Sequence, residues 1–220
     1  MRFSAQAQRV FGADLVVKDV CATCNNGPLS ELDAYACALF DNYFCKVIER
    51  NETVDFRYEH DKLLRWLLKI SYYSARTTKA DLIFYRPLRD YILGVAVKPA
   101  FVSATLDIVV PSIVNGITLE PKATRCARVL LGKTRSWICV RLVAINSFYF
   151  YIVITAENTV SVSQHELRES RAILKGKFLS TGNHVTLKDH QSDIYEMHIP
   201  HLLDNSKLYD EFIERYRKLH

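Results

Sequence analysis

The chain has 220 residues, of which 49% are hydrophobic and 24% are charged. This is the composition of a globular protein of one or two domains, and it argues against long disordered stretches. Seven Gly and six Pro are too few for a fibrous or low-complexity protein. No apolar run reaches the roughly 18 residues of a membrane span, and the first residues lack the apolar stretch of a signal peptide. We therefore expect a cytoplasmic protein without a membrane partner.

The net charge of +5 is unevenly distributed along the chain. Residues 61–135 carry 13 basic and 5 acidic side chains, whereas residues 1–60 carry 6 and 9, and residues 136–220 carry 10 of each. The basic excess in the middle permits a nucleic-acid-binding face there. Solvated Lys and Arg side chains on an ordinary surface give the same count, so both interpretations stay open.

The first fifty residues predict a strand, a turn and a helix. Residues 15–20 are rich in Val and are typical of a short strand. From Pro28 to about residue 50, apolar side chains recur every three or four positions, which predicts an amphipathic helix. Pro28 suits the first turn of this helix, and Asn26 or Gly27 can cap it. We therefore expect the residues between the strand and Pro28 to form a strand-to-helix turn.

The remainder of the chain predicts a second helix and then mostly strands. A polar linker over residues 51–59 precedes the second helix, which is expected over residues 61–74. From about residue 81 the pattern changes to β-rich runs separated by turn residues, namely 92–97, 101–110, 113–118, 127–131, 136–145 and 148–154. The Asn146-Ser147 pair between the last two runs predicts a tight hairpin. Residues 206–219 predict a C-terminal helix.

This order of elements predicts an α+β fold. Residues 1–78 are expected to form a small strand-turn-helix unit followed by the second helix. Residues 79–220 are expected to form a mostly antiparallel β-sheet region with the C-terminal helix packed on it. The chain shows no internal repeat.

Two of the six cysteines, Cys21 and Cys24, have a spacing that can carry chemistry. Two thiolates at this spacing on a tight turn can bind one ion, and Zn²⁺ accepts such a pair and needs two further ligands. In the rival redox interpretation, the first Cys lies near the N-terminus of a helix and the second lies within it. Because the helix is expected to begin after the pair, metal binding is favoured, and an ordinary turn without metal stays open. The other four cysteines lie in apolar segments and are expected to be reduced core residues; they are Cys37, Cys45, Cys126 and Cys139.

The residues around this pair resemble the second half of the HNH endonuclease motif. In bacterial proteins of that family the motif ends with Cys-x-x-Cys-Asn-Asn-Gly, a bulky residue, and then Ser-x-Leu-Glu. Here the chain reads CATCNNG from Cys21 and then LSELD from Leu29. The segment Leu64–Ile70, which reads LRWLLKI, is similar to the Arg-Trp-x-x-Lys helix that follows the motif in those proteins. The resemblance covers about residues 15–75 and does not extend over residues 80–220.

The resemblance implies a ββα-metal nuclease. In that family a His activates water for attack on a phosphodiester, and a divalent metal binds the phosphate and stabilises the developing charge. The resemblance places Asn25 on the metal side of the catalytic centre and gives the Cys21–Cys24 pair a structural role as zinc ligands. In a nucleic-acid-binding protein of this kind, the phosphate contacts are expected from the basic residues of the second helix and the loop after it; these are Arg65, Lys69, Arg76 and Lys79.

One essential part of the HNH motif is missing from this sequence. The catalytic His of the family precedes the Cys pair, yet residues 1–20 contain neither His nor Cys, and the first His is His60. Either the chain begins after the catalytic half of the motif, or the site has degenerated. His60 is the nearest substitute for the base, although a solvated His is the usual case in a linker. The later histidines are expected on the surface; they include His184, His190, His198 and His201.

We therefore expect an HNH endonuclease-like protein that is degenerate or incomplete as a nuclease and that binds nucleic acid such as DNA. The alternative is a structural or interaction protein, in which the HNH remnant serves packing or zinc binding and the β-rich region binds a protein partner or forms a homodimer. Two Cys pairs from two chains could then complete one zinc site. A third hypothesis is an active nuclease that uses a divalent catalytic metal and whose missing half comes from a partner chain or from residues that do not align with the motif.

Overall fold

A computed structural model describes the chain over residues 2–4, 9–11, 20–78, 81–114, 117–121, 124–129, 137–156, 176–187 and 191–193. Helices and antiparallel strands both build the structure, which confirms the predicted α+β class. The predicted strand over residues 15–20, apart from Val20, and the predicted C-terminal helix over residues 206–219 lie outside the described residues. Within the described part of the chain, no helix combines the length and the apolar character needed to cross a membrane.

The helices lie in the first half of the described chain. They are α1 (Ala22–Asn26), α2 (Pro28–Leu39), α3 (His60–Thr78), α4 (Leu82–Tyr85) and α5 (Arg89–Ile92). A π-helical turn, Phe40–Phe44, follows α2, and a 3-10 turn, Arg86–Leu88, joins α4 to α5. The second helix predicted from the sequence is thus confirmed as α3.

The first long helix ends earlier than its apolar periodicity predicts. The helix expected to reach residue 50 closes in the π-helical turn, where the N–H of Cys45 donates to the carbonyl of Phe40. The wider turn directs Phe44 into the core, where it is fully buried. There its ring lies 4.9 Å from the ring of Phe148, centroid to centroid. Packing of this aromatic ring therefore accompanies the end of the helix.

The segment predicted as a polar linker over residues 51–59 contains a strand. Residues Val54–Arg57 form β3, which pairs antiparallel with β11 (His184–Leu187). Val54 and Phe56 face the core, and the residues between and after them face solvent. The linker prediction is wrong because the pairing partner of this short alternating segment lies more than 120 residues away in the sequence.

The β-rich region also begins later than predicted. Residues 82–92 form the two short helices and the 3-10 turn, and the strand predicted over residues 92–97 is wrong. The N–H groups of Val95 and Ala96 both donate to the carbonyl of Asp90, and Gly94 has a φ of 80°. A turn of this kind at the end of α5 needs the left-handed conformation that Gly adopts readily.

The main sheet is built from six described strands. They are β4 (Val102–Val110), β7 (Thr124–Arg128), β8 (Ile138–Ile145), β9 (Phe148–Thr155), β10 (Lys177–Phe178) and β12 (Gln191–Asp193). Their order is β10-β4-β9-β8-β7, all antiparallel, and β12 pairs with β4 in parallel. Two small hairpins stand apart from it, β1 (Arg2–Ser4) with β2 (Arg9–Phe11) and β5 (Ser112–Val114) with β6 (Ile117–Leu119).

The hairpin predicted at Asn146-Ser147 is confirmed, and its turn contacts the helical part of the chain. Ile145 pairs with Phe148 across a two-residue loop in which Asn146 has a φ of 47°. The amide of Asn146 donates to the carbonyl of Phe44 at 2.6 Å, and the hydroxyl of Ser147 accepts from the N–H of Ile48 at 2.8 Å. The loop of the sheet therefore satisfies backbone groups released where the π-helical turn ends.

One hydrophobic cluster joins the helices to one face of the sheet. It includes Leu32 of α2, Leu67 of α3, Leu106 of β4 and Phe150 of β9, all almost fully buried. Side chains from both sides of the predicted boundary after residue 78 are therefore packed together. A smaller cluster, which includes Val109 and Tyr149, lies apart from this core.

A buried ion pair connects the start of α4 to the middle of the sheet. Asp81 and Arg141 are at most 1% exposed, and a nitrogen of the guanidinium donates to the carboxylate at 2.8 Å. The same guanidinium donates to the hydroxyl of Ser74 on α3 at 2.8 Å. Arg128 of β7 lies 3.2 Å from the other carboxylate oxygen, without the alignment of a hydrogen bond. Two buried charges are tolerated here because each has a counter-charge.

We expect the substitution Asp81→Asn to lower the free energy of unfolding by about 3–5 kcal/mol, because it leaves the Arg141 guanidinium buried without a counter-charge. Urea denaturation followed by circular dichroism measures the difference. The matched control is Asp90→Asn, whose side chain is exposed and whose loss is expected to change stability by less than about 0.5 kcal/mol. Equal losses of stability in the two variants would show that the buried Asp81–Arg141 pair contributes no more to stability than an exposed carboxylate.

Candidate functional site

The Cys21–Cys24 pair opens a short helix. Cys21 is the N-cap residue of α1, and its sulfur accepts the backbone N–H of Cys24 at 3.3 Å. Gly27 ends α1, since its N–H donates to the carbonyl of Thr23, and α2 begins at the next residue. The helix predicted from Pro28 begins there as α2 and is confirmed, but the segment expected to be a turn before it contains the short helix α1. Because Cys21 caps α1 and Cys24 lies within it, the position of the pair no longer favours metal binding over redox chemistry.

The two thiols of the pair differ in acidity and in exposure. The thiol and the backbone N–H of Cys24 both donate to the sulfur of Cys21, which lowers the pKa of Cys21. The same thiol hydrogen bond raises the pKa of Cys24, burial acts in the same direction, and the positive charge of Arg89 opposes them. Cys21 is exposed and Cys24 is partly buried. The expectation that Cys37 and Cys45 lie in the core is wrong, since both are exposed. Cys21 is therefore the more nucleophilic thiol of the two.

A cavity of about 570 Å³ adjoins the pair. Its walls come from α1 to α5, and the residues that line it are Val20, Cys21, Cys24, Leu29, Lys69, Tyr72, Tyr73, Leu82, Tyr85, Arg86, Arg89, Ile92 and Leu93. The volume lies in the range of small-molecule sites. The wall combines thiols, cations, phenols and apolar side chains, so it can offer both charge and apolar contact to a ligand.

Two arginines of the cavity wall were missed by sequence reasoning. Arg86 lies in the 3-10 turn and Arg89 begins α5, and both side chains are exposed. Among the described residues, no carboxylate forms an ion pair with either guanidinium. The signal was the three-residue spacing in Arg86-Pro-Leu-Arg89, which places both side chains on one side of a helical segment. The β-rich pattern expected from about residue 81 does not predict a helical segment at this position.

Lys69 joins the two segments that carry the HNH resemblance. Its ammonium donates to the carboxylate of Asp33 at 2.6 Å and to the carbonyl of Leu29 at 3.0 Å. The Lys69 side chain is 7% exposed, whereas that of Asp33 is 54% exposed. Lys69 was predicted to contact phosphate, but the structure directs its ammonium to α2, where it holds α2 against α3.

Arg65, another predicted phosphate contact, is also engaged within the protein. Its Nε donates to the carbonyl of Ile92 at 3.1 Å, and its guanidinium lies 3.5 Å from Asp61. Gly94 packs directly on this guanidinium, since a Cβ there would lie 2.5 Å from it. Arg65 therefore fastens the end of α5 to α3.

The other two predicted phosphate contacts lie at the end of α3 and beyond it. Arg76 is in the last turn of that helix, is partly exposed, and lies over the ring of Tyr72 at 5.9 Å from its centroid. Lys79 lies outside the described residues. For Arg76 and Lys79, phosphate contact stays a prediction.

The predicted catalytic residue Asn25 lies on the exposed side of α1 and is not part of the cavity wall. Its role on the metal side of a nuclease centre stays a prediction. His60, the nearest substitute base, begins α3, and burial lowers the pKa of its imidazole, with the charge of Lys98 acting in the same direction. His60 does not line the cavity either.

The predicted surface histidine His184 is exposed and has a local structural partner. Its imidazole lies 2.6 Å from the carboxylate of Asp55, which also accepts from the hydroxyl of Thr186, and these contacts lie across the β3–β11 pair. The same two hydrogen bonds lower the pKa of Asp55. The other C-terminal histidines lie outside the described residues; they are His190, His198 and His201.

The predicted zinc site depends on which ligands the chain can supply. Cys21 and Cys24 supply two sulfur ligands of the kind that Zn²⁺ prefers, out of the four that a structural site needs. In the part of the chain that the structure describes, no group of three or more His, Cys, Asp and Glu residues is placed to hold a metal ion. Zinc binding by this pair stays a prediction.

Comparison of the chain with protein-family models, with curated proteins and with solved structures finds no match.

The contact between Lys69 and Asp33 predicts an asymmetry between two substitutions. Asp33→Ala leaves a buried ammonium without its counter-charge, and we expect it to lower the free energy of unfolding by about 2 kcal/mol. Lys69→Met replaces the buried charge by an apolar side chain of similar length, and Asp33 keeps contact with water, so we expect a loss below about 1 kcal/mol. Urea denaturation of the two variants tests the order, and the reverse order would contradict this account of the contact.

Proposed function

We propose that this chain is an HNH endonuclease-like protein that binds nucleic acid and lacks, within residues 1–220, the His of the catalytic half of the motif. The observation that carries the proposal is the contact of Lys69 with Asp33 and Leu29. It joins the LSELD segment, which ends the HNH-like motif, to the LRWLLKI segment that follows it. The two segments occur in the same order as in that family, and they also lie side by side. This supports a common origin of the resemblance rather than a chance match of either segment.

The nucleic-acid interface in this proposal lies at the end of α3. Arg65 and Lys69 contact α5 and α2. We assign the phosphate contacts to Arg76, which is partly exposed in the last turn of α3, and to Lys79, which follows that helix in the sequence. Both belong to the basic region of residues 61–135. A guanidinium binds a phosphate through two parallel hydrogen bonds, whereas an ammonium acts as a point charge. Contacts of this type position a nucleic acid without reading its sequence.

We expect the chain to bind a fluorescently labelled DNA duplex with an affinity that falls steeply as salt rises from about 50 to about 200 mM. The double substitution Arg76→Gln with Lys79→Gln removes two phosphate contacts and is expected to reduce the slope of log K against log salt by about two. Fluorescence anisotropy at several salt concentrations measures both quantities.

The matched control for this measurement is Lys46→Gln with Arg57→Gln, which removes the same charge from exposed positions outside the basic region. We expect the control to keep the slope of the unchanged chain. An affinity that does not respond to salt, or an equal loss in the two double variants, would overturn the proposed interface.

A second candidate function is that of an interaction protein that forms a homodimer or binds a protein partner. It is favoured by the apolar side chains exposed just after α5, where Val95 is 76% and Val97 is 88% exposed. Backbone hydrogen bonds to Asp90 hold the first part of this turn in place. Exposed apolar side chains on an ordered turn suit a contact with another protein surface.

Analytical ultracentrifugation of the full chain tests the homodimer. We expect a mass that rises towards twice that of the monomer as the protein concentration increases, because a higher concentration favours association by mass action. The double substitution Val95→Ser with Val97→Ser should shift this equilibrium to the monomer. Ile113→Ser is the control, since Ile113 is 77% exposed on a different hairpin. A monomer at all concentrations would contradict the homodimer.

A further inference from the structure

The proposed nucleic-acid interface at the end of α3 does not involve the Cys21–Cys24 pair or the cavity beside it. Both cysteines line the cavity. The N–H of Cys24 donates to the Cys21 sulfur, so the two residues are held close together at the start of α1. The pair therefore combines one exposed thiol with a partly buried one, an arrangement that suits redox chemistry.

The charges at the cavity wall indicate what kind of molecule would bind. Lys69 is neutralised by Asp33, whereas Arg86 and Arg89 form no ion pair with any described carboxylate. Two guanidiniums in the lining of one cavity favour an anionic ligand, and their planar geometry suits carboxylates. Tyr72 and Tyr73 also line the cavity, and their rings offer apolar contact.

We propose that Cys21 and Cys24 form a redox-active dithiol that reduces small disulfides bearing carboxylates, which bind in the adjoining cavity with their carboxylates on Arg86 and Arg89. Cys21 is the nucleophile because it is the more exposed thiol, and Cys24 resolves the intermediate. The cavity has a volume of about 570 Å³, which lies in the range of small-molecule sites. This activity is separate from the proposed nucleic-acid binding, which uses other residues.

The reaction proceeds in two exchange steps. In the first, the Cys21 thiolate attacks one sulfur of the bound disulfide, so that a Cys21–substrate disulfide forms and the other half leaves as a thiolate. In the second, Cys24 gives up its proton and attacks the Cys21 sulfur, which forms the Cys21–Cys24 disulfide and releases the second half. The protein loses two electrons and two protons, and the substrate disulfide gains them as two thiols. An excess of a small thiol reverses both steps and regenerates the dithiol.

The test uses the full chain and two disulfides, glutathione disulfide as the anionic probe and hydroxyethyl disulfide as the neutral one. We expect glutathione disulfide to convert the chain to a form lighter by two hydrogens, with peptide mapping placing the bond between Cys21 and Cys24. The Cys24→Ser variant should instead accumulate a glutathione adduct on Cys21, because the resolving thiol is gone. Cys37→Ser, which removes an exposed cysteine outside the cavity wall, should behave as the unchanged chain.

Substitution of the arginines tests recognition separately from reactivity. The double variant Arg86→Gln with Arg89→Gln should slow oxidation by glutathione disulfide about tenfold, because two charged hydrogen-bond donors are lost. Both rates are measured as adduct formation on Cys21 in the Cys24→Ser background, where the charge of Arg89 cannot act through Cys24. There the neutral disulfide should be slowed much less than glutathione disulfide, and its retained reaction shows that the variant is folded. Equal slowing with both probes would overturn the assignment of the arginines to carboxylate recognition.

Two further results would overturn the proposal as a whole. The first is modification of Cys37 or Cys45 by glutathione disulfide at the same rate as Cys21, since all three are exposed and a general reaction of surface thiols would explain it. The second is zinc in the purified chain, at one ion per chain or per two chains, that disappears in Cys24→Ser. Zinc bound in this way would make the two sulfurs structural ligands and remove them from exchange chemistry.

Discussion

The buried ammonium of Lys69 is the constraint on which the site depends. A charge that is removed from water must find a counter-charge and hydrogen-bond acceptors, or the fold loses several kcal/mol. Lys69 finds them in Asp33 and in the carbonyl of Leu29, both on α2. The contact therefore sets where α2 lies against α3. Because only Gly27 separates α1 from α2, the placement of α2 also brings the Cys21–Cys24 pair to the cavity.

A second set of polar contacts holds the other wall of the cavity. Arg65 reaches from α3 to the carbonyl of Ile92 at the end of α5, and the Asp81–Arg141 pair anchors the start of α4 to the sheet. Arg86 and Arg89 lie between these two anchors, and their own guanidiniums stay exposed. The buried cations are thus engaged by partners within the structure, while the exposed ones are available for a ligand. The charge of a residue therefore does not indicate the role of its side chain until the groups that contact it are known.

The Cys-x-x-Cys spacing is compatible with two interpretations, a metal site and a redox-active dithiol. A pair before a helix suits a metal, and a pair that opens a helix suits redox chemistry. The residues Asn25-Asn26-Gly27 permit a turn as well as one short helical turn, so local propensity does not separate the two. The chain forms the short helix, in which the Cys24 N–H donates to the Cys21 sulfur and the Gly27 N–H donates to the carbonyl of Thr23.

The sequence by itself determined the α+β class, α3, most strands of the sheet and the hairpin at Asn146-Ser147, because periodicity and turn chemistry are local properties. It also located the Cys pair. The tertiary structure alone decided that residues 54–57 pair with a strand more than 120 residues away, that α2 gives way to a π-helical turn where Phe44 enters the core, and that Lys69 is buried while Arg86 and Arg89 are exposed. Strand pairing, ring packing and burial each depend on how distant parts of the chain come together, and local periodicity does not carry that information.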